Sequence, residues 1–104
     1  MSNVGVVAIF KSTTEGADQL ADLLKGIVPT SQAEDGVLRY SLQRAAKDPT
    51  TFVMVEKYVD RDAFKAHAGA PHMAEFMGAI KDLLAEAPQL IITDFVDVGD
   101  PDKA

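Results

Sequence analysis

The run Val4 to Lys11, VGVVAIFK, is rich in β-branched residues and apolar at both parities. Successive side chains of a strand point to opposite faces of the sheet, so a strand of this composition has to be covered on both. It is expected to be a central strand, and the rest of the chain has to supply the covers.

The following segments read as those covers and as further strands. Ser12 to Glu15 matches the serine, two-residue gap, glutamate pattern of a capping box and predicts a helix start. Ala17, Leu20, Ala21, Leu24, Ile27 and Val28 then recur at helical spacing, and Pro29 is expected to close that helix. Glu34, Asp35 and Gly36 read as a turn. Val37 to Arg44 alternates, with Leu38, Tyr40 and Leu42 on one face and Arg39, Ser41 and Gln43 on the other. Ala45 to Thr50 carries an Asp-Pro turn signal, and Thr51 to Val59 is the second arm of the implied hairpin. Within it Phe52, Met54, Glu56 and Tyr58 share one face.

Asp60 is suited to cap a short helix through His67, Gly69 to end it, and Pro71 to open the next. Met73, Phe76, Met77, Ile80, Leu83 and Leu84 continue as an apolar stripe that Pro88 should terminate. Leu90 to Val98 is the expected last strand, and 99–104 a polar tail expected to fray. The order is strand, helix, strand, strand, broken helix, strand. With right-handed crossovers it gives an α+β, ferredoxin-like fold: a four-stranded antiparallel sheet with helices on one face. The helices cover one side only, so a second copy is expected on the other, making a homodimer with sheets packed face to face.

At 104 residues a single domain is expected, and a net charge of -6 without a basic run makes nucleic acid and anionic membranes poor partners. Cysteine is absent, which removes disulfides, thiolate nucleophiles and cysteine-held metals from consideration. The apolar run at Val4 to Phe10 is too short to span a bilayer and lacks the flanks of a secretory signal, so the expected location is cytoplasmic. No glycine-rich nucleotide loop is present. The histidines at positions 67 and 72 have neither HExxH nor facial-triad spacing, so no metal and no cofactor are expected.

The residues Glu34 to Tyr40 (EDGVLRY), Asp48 to Asp60 (DPTTFVMVEKYVD), and the pieces AFKAH and APHMAEF together resemble the antibiotic biosynthesis monooxygenase superfamily, in its branch of small quinol monooxygenases. The resemblance covers nearly the whole chain and implies a dimeric α+β barrel. It implies a cofactor-independent oxygenation of a quinol or polycyclic phenol, with a small aromatic substrate and molecular oxygen as partners. Other branches are isomerases or haem-degrading enzymes. The tryptophan that the haem-degrading branch uses is missing here, and Asn3 lies at the very start of the chain.

Such an oxygenation begins with removal of a phenolic proton, and histidine is the natural base near neutral pH. His67 shares a helix face with Phe64 and is one candidate; its alternative is a helix-end residue bonded to a carbonyl. His72 is the other, with a surface position beside Pro71 as its alternative. Glu56, on an apolar strand face, needs a partner if buried. His67 is the expected partner, against backbone amides or an arginine as the alternative. Tyr40, Phe52, Tyr58, Phe64, Phe76 and Met77 are candidate substrate contacts, or else simply core. Two further functions stay open: an isomerase or other proton-transfer enzyme on a small carbonyl compound, and a non-catalytic dimeric ligand-binding barrel.

Overall fold

The computed structural model describes residues 3–104. Four strands, β1 (Val4–Lys11), β2 (Val37–Arg44), β3 (Thr51–Tyr58) and β4 (Gln89–Asp94), form one sheet in the order β2-β3-β1-β4, every neighbouring pair antiparallel. The helices α1 (Ala17–Gln32), α2 (Arg61–Ala68) and α3 (Pro71–Ile80) complete the expected ferredoxin-like α+β fold. As the apolar run demands, β1 lies inside the sheet, between β3 and β4.

One face of β1 and β3 forms the core with the helices. Across the ladder Phe10 faces Phe52, Ala8 faces Met54, Val6 faces Glu56 and Val4 faces Tyr58, and all eight are buried. Leu20, Leu24 and Ile27 of α1 and Phe76 and Ile80 of α3 pack onto Ala8, Phe10, Phe52 and Met54. The opposite face carries Val7, Ile9, Val53 and Val55, which are only half covered. The edge strand β4 is exposed along its whole length, Ile91 beside Val7 on this open face and Leu90 and Ile92 beside Ala8 and Val6 on the helix side, all three more than 40% accessible. No helix among the described residues is long and apolar enough to cross a membrane.

Several local expectations are corrected. Ser12 to Glu15 is not a capping box: α1 starts after Gly16 with no side-chain cap, Thr13 Oγ1 accepts from Gly16 N, and Ser12 is buried in an isolated bridge to Leu84. Pro29 does not close α1. It cannot donate a backbone hydrogen bond, but its carbonyl still accepts, and Ala33 N bonds to it at 3.1 Å, so the helix runs on to Gln32. Leu38 leaves the inner face because the β2–β3 register shifts between Val37 and Arg39; the extra residue points outward and is 52% exposed. α3 gives way to a 3₁₀ turn at Lys81–Leu83, well before Pro88. β4 ends at Asp94 rather than Val98.

The elements that carry the polar residues follow expectation. Asp48 organises the hairpin turn, its Oδ1 accepting from Thr50 N and Oγ1 and its Oδ2 from Thr51 Oγ1. Those bonds hold its carboxyl well below the usual carboxylate range. Asp60 Oδ1 accepts from Ala63 N at 2.8 Å and caps α2, Gly69 ends it, and Pro71 opens α3.

Candidate functional site

The break between α2 and α3 brings the two imidazole rings together with centroids 6.0 Å apart. His67, in the last turn of α2, is buried; His72, in the first turn of α3, is half-buried. Between them stands Glu34, from the turn that follows α1. Its Oε2 lies 2.7 Å from His67 Nδ1 and 3.8 Å from His72 Nε2. A carboxylate accepts, so Nδ1 of His67 carries a proton, and in the neutral ring the lone pair is then on Nε2. His72 Nε2 also meets Ser31 Oγ at 3.2 Å, a hydroxyl fully buried at the end of α1.

The turn reaches α2 because residue 36 is glycine. A Cβ at Gly36 would overlap the Ala63 side chain and come within 3.3 Å of its Cα, so any larger residue would push turn and helix apart. Val59 N donates to Gly36 O at 3.0 Å and ties the same turn to the end of β3.

The expected pairing of Glu56 with His67 is corrected here. Glu56, buried on β3, accepts a short hydrogen bond from Tyr58 Oη two residues along the same strand face. The partner of His67 is Glu34. Burial pushes the Glu56 carboxyl from its ordinary 4.5 up to about 7, the bond from Tyr58 working the other way and the Glu34 charge adding to the rise. Tyr58 is held above the usual phenol range by burial and by its bond to Glu56. Tyr40 is raised likewise, by burial first and then by the Glu56 charge. Both phenols therefore stay protonated and able to donate at neutral pH.

A cavity of about 350 Å³ opens between the sheet and the paired helices α2 and α3. Glu56, Tyr40 and His67 form its polar end, while Phe10, Phe64, Met73, Met77 and Leu90 supply apolar walls. The Tyr40 ring meets the His67 ring edge-on at 5.1 Å. Of the six residues considered as substrate contacts, Tyr40, Phe64 and Met77 line this space. Phe52 and Tyr58 lie in the core behind it, and Phe76 packs edge-on against Phe10. His72 is outside the cavity and borders a groove between α1 and α3. Glu34 and Ser31 are not apparent in the sequence, because a helix ending at Pro29 and a turn at Glu34 would put both in a loop.

Comparison with known proteins supports the same architecture. Residues 3–79 match the family model described as antibiotic biosynthesis monooxygenase. The putative monooxygenase Rv0793 of Mycobacterium tuberculosis is 32% identical over 83 residues, 80% of this chain and 81% of that protein. Its solved structure superposes with a TM-score of 0.89 over 95% of this chain and all of the other, at 28% identity. The putative monooxygenase YcnE of Bacillus subtilis is 30% identical over 84% of this chain and 92% of its own length. A Nitrosomonas europaea structure of similar description, 22% identical with a TM-score of 0.87 over 91% of each chain, shares the fold. A family model matching residues 3–79 and two relatives at 30% and 32% identity over most of the chain leave one conclusion: the chain belongs to the antibiotic biosynthesis monooxygenase family.

Proposed function

We propose that this protein is a cofactor-independent monooxygenase that oxidises a hydroquinone or polycyclic phenol with dioxygen, His67 acting as the base. The observation that carries the reading is the state of His67: one ring nitrogen donates to Glu34 at 2.7 Å, and the ring lines an apolar cavity of about 350 Å³. A planar phenol fits such a space between Phe64, Met77 and Leu90, with Tyr40 available to donate to its oxygen. His67 Nε2 removes the phenolic proton, and Glu34 stabilises the imidazolium that results. The electron-rich anion passes one electron to dioxygen, and the radical pair combines at carbon into a peroxide. Loss of water leaves a carbonyl. The substrate supplies all four electrons, one oxygen atom ends in the product and the other in water.

The apolar sheet face opposite the helices supports a homodimer, with Val7, Ile9, Val53, Val55 and Ile91 of one copy against those of the next. A second functional reading is favoured by Glu56. A carboxyl near neutrality that lines the same cavity as a histidine supplies the acid and base groups an isomerase of a small carbonyl compound would use. Oxygen uptake separates the two: the monooxygenase consumes dioxygen with a panel of hydroquinones and His67→Ala abolishes that uptake, whereas turnover without oxygen consumption would select the isomerase.

A further inference from the structure

We propose that Glu34, His67 and His72 form a site for one divalent first-row transition ion of the Zn²⁺, Co²⁺ or Cu²⁺ class, and that its occupancy takes His67 out of proton transfer. The site stands on geometry; its inhibitory effect rests on the reading of His67 as the base. One ligand atom from each residue lies within 4.8 Å of the other two. Glu34 Oε2 is 2.7 Å from His67 Nδ1 and 3.8 Å from His72 Nε2. Donors around a tetrahedral ion, at bonds of about 2.0–2.1 Å, sit about 3.4 Å apart, between those two spacings. The third spacing, between the two imidazoles, is within 4.8 Å, so an ion draws the three donors together mainly by rotation of the partly exposed Glu34 and His72 side chains.

The donor set is informative in its own right. Two imidazoles and one carboxylate suit borderline first-row ions better than Ca²⁺ or Mg²⁺, which prefer all-oxygen shells. The three residues come from the turn after α1, the end of α2 and the start of α3, so the folded chain assembles them and sequence spacing does not reveal them. Glu34 and His72 keep 23% and 24% of their side-chain surface exposed, which gives an ion a way in that does not pass through the substrate cavity. Around them the chain carries a net charge of -6, which favours cations.

The consequence for the base follows from the tautomer. In its hydrogen bond to Glu34 the neutral His67 ring holds the proton on Nδ1 and the lone pair on Nε2. An ion on Nδ1 moves that proton to Nε2, and an imidazole with Nε2–H has no lone pair left to take a phenolic proton. Occupancy and catalysis by the same ring then exclude each other.

The chain helps the test, because it has two histidines and no cysteine. In pulsed EPR of the untagged full chain with Cu²⁺, two coupled imidazoles are expected, and they can only be His67 and His72. Zn²⁺ titrated by calorimetry should bind once per chain, and His72→Ala should lose that binding. Should that variant fail to fold by circular dichroism, Glu34→Gln, which keeps both imidazoles, should still weaken Zn²⁺ binding by at least about tenfold, the lower end for a perturbed ligand shell. Zn²⁺ should also stop hydroquinone-dependent oxygen uptake with the binding midpoint, and a chelator should restore it. Fewer than two imidazoles, or Zn²⁺ binding indifferent to both substitutions, overturns the site and leaves the base untouched. Binding at the site with undiminished uptake overturns the inhibition and speaks against His67 as the base.

Discussion

His67 and Glu56 are both buried and polar, yet they are stabilised in different ways and should respond differently to substitution. His67 has a carboxylate partner, so replacing Glu34 by Gln removes the charge that favours the imidazolium formed on proton transfer while keeping the shape of the contact. The expected result is a kcat lowered at least about tenfold, and by less than the roughly 10⁴-fold upper end of what a general base is worth, at little change in KM. Steady-state oxygen uptake reads both numbers, and partial recovery in Glu34→Asp would mark the effect as one of charge and position. Glu56 is instead held partly neutral. Its folded value of about 7 exceeds the ordinary 4.5, so between those values the folded chain binds more protons than the unfolded one. Its contribution is therefore greatest below pH 4.5 and is lost as pH rises through 7, a loss of roughly 3 kcal/mol at 1.36 kcal/mol per unit. Urea unfolding at a series of pH values should show this decline in wild type and a flatter profile in Glu56→Gln. Glu56 and both histidines stand out in the sequence as polar groups in apolar surroundings. Glu34 and Ser31 do not, because their importance comes from tertiary contacts across 33 and 41 residues.

At the scale of elements, the strand and helix order can be read from periodicity, because each element buries one face and the spacing of its apolar residues reports that face. The ends are less legible. Pro29 is tolerated within α1 since its carbonyl still accepts from Ala33, and the bulge at Leu38 resets the alternation of β2 midway. Asp60, whose carboxylate caps α2, is where local chemistry and structure agree, whereas Ser12 matches a cap pattern and caps nothing. The turn from Glu34 to Gly36 is the element on which the site depends most. Gly36→Ala should separate it from α2, destabilising the fold by about 1–3 kcal/mol as overpacking does. Chemical denaturation measures that loss. The same substitution should lower activity under conditions where the protein remains folded, because Glu34 moves away from His67. A variant of full stability and full activity would show that the turn has room to give.

For the whole molecule, the sequence demands that β1 be covered on both faces, and the chain's own helices cover one. The half-covered valines and isoleucines opposite, with the exposed edge strand β4, make a second copy the expected cover. Light scattering at micromolar concentration should give a dimer mass. Val55→Asp, a charge placed at the middle of the open face, should shift the mass toward monomer while leaving the helix-side core in place, and an unchanged mass would place the dimer contact elsewhere. What happens in the cavity is decided by the fate of dioxygen. When the protein turns over a hydroquinone under isotopically labelled dioxygen, mass spectrometry of the product should find one labelled atom incorporated per molecule, with the second in water. Product without label, or hydrogen peroxide released in step with oxidation, would contradict a monooxygenase.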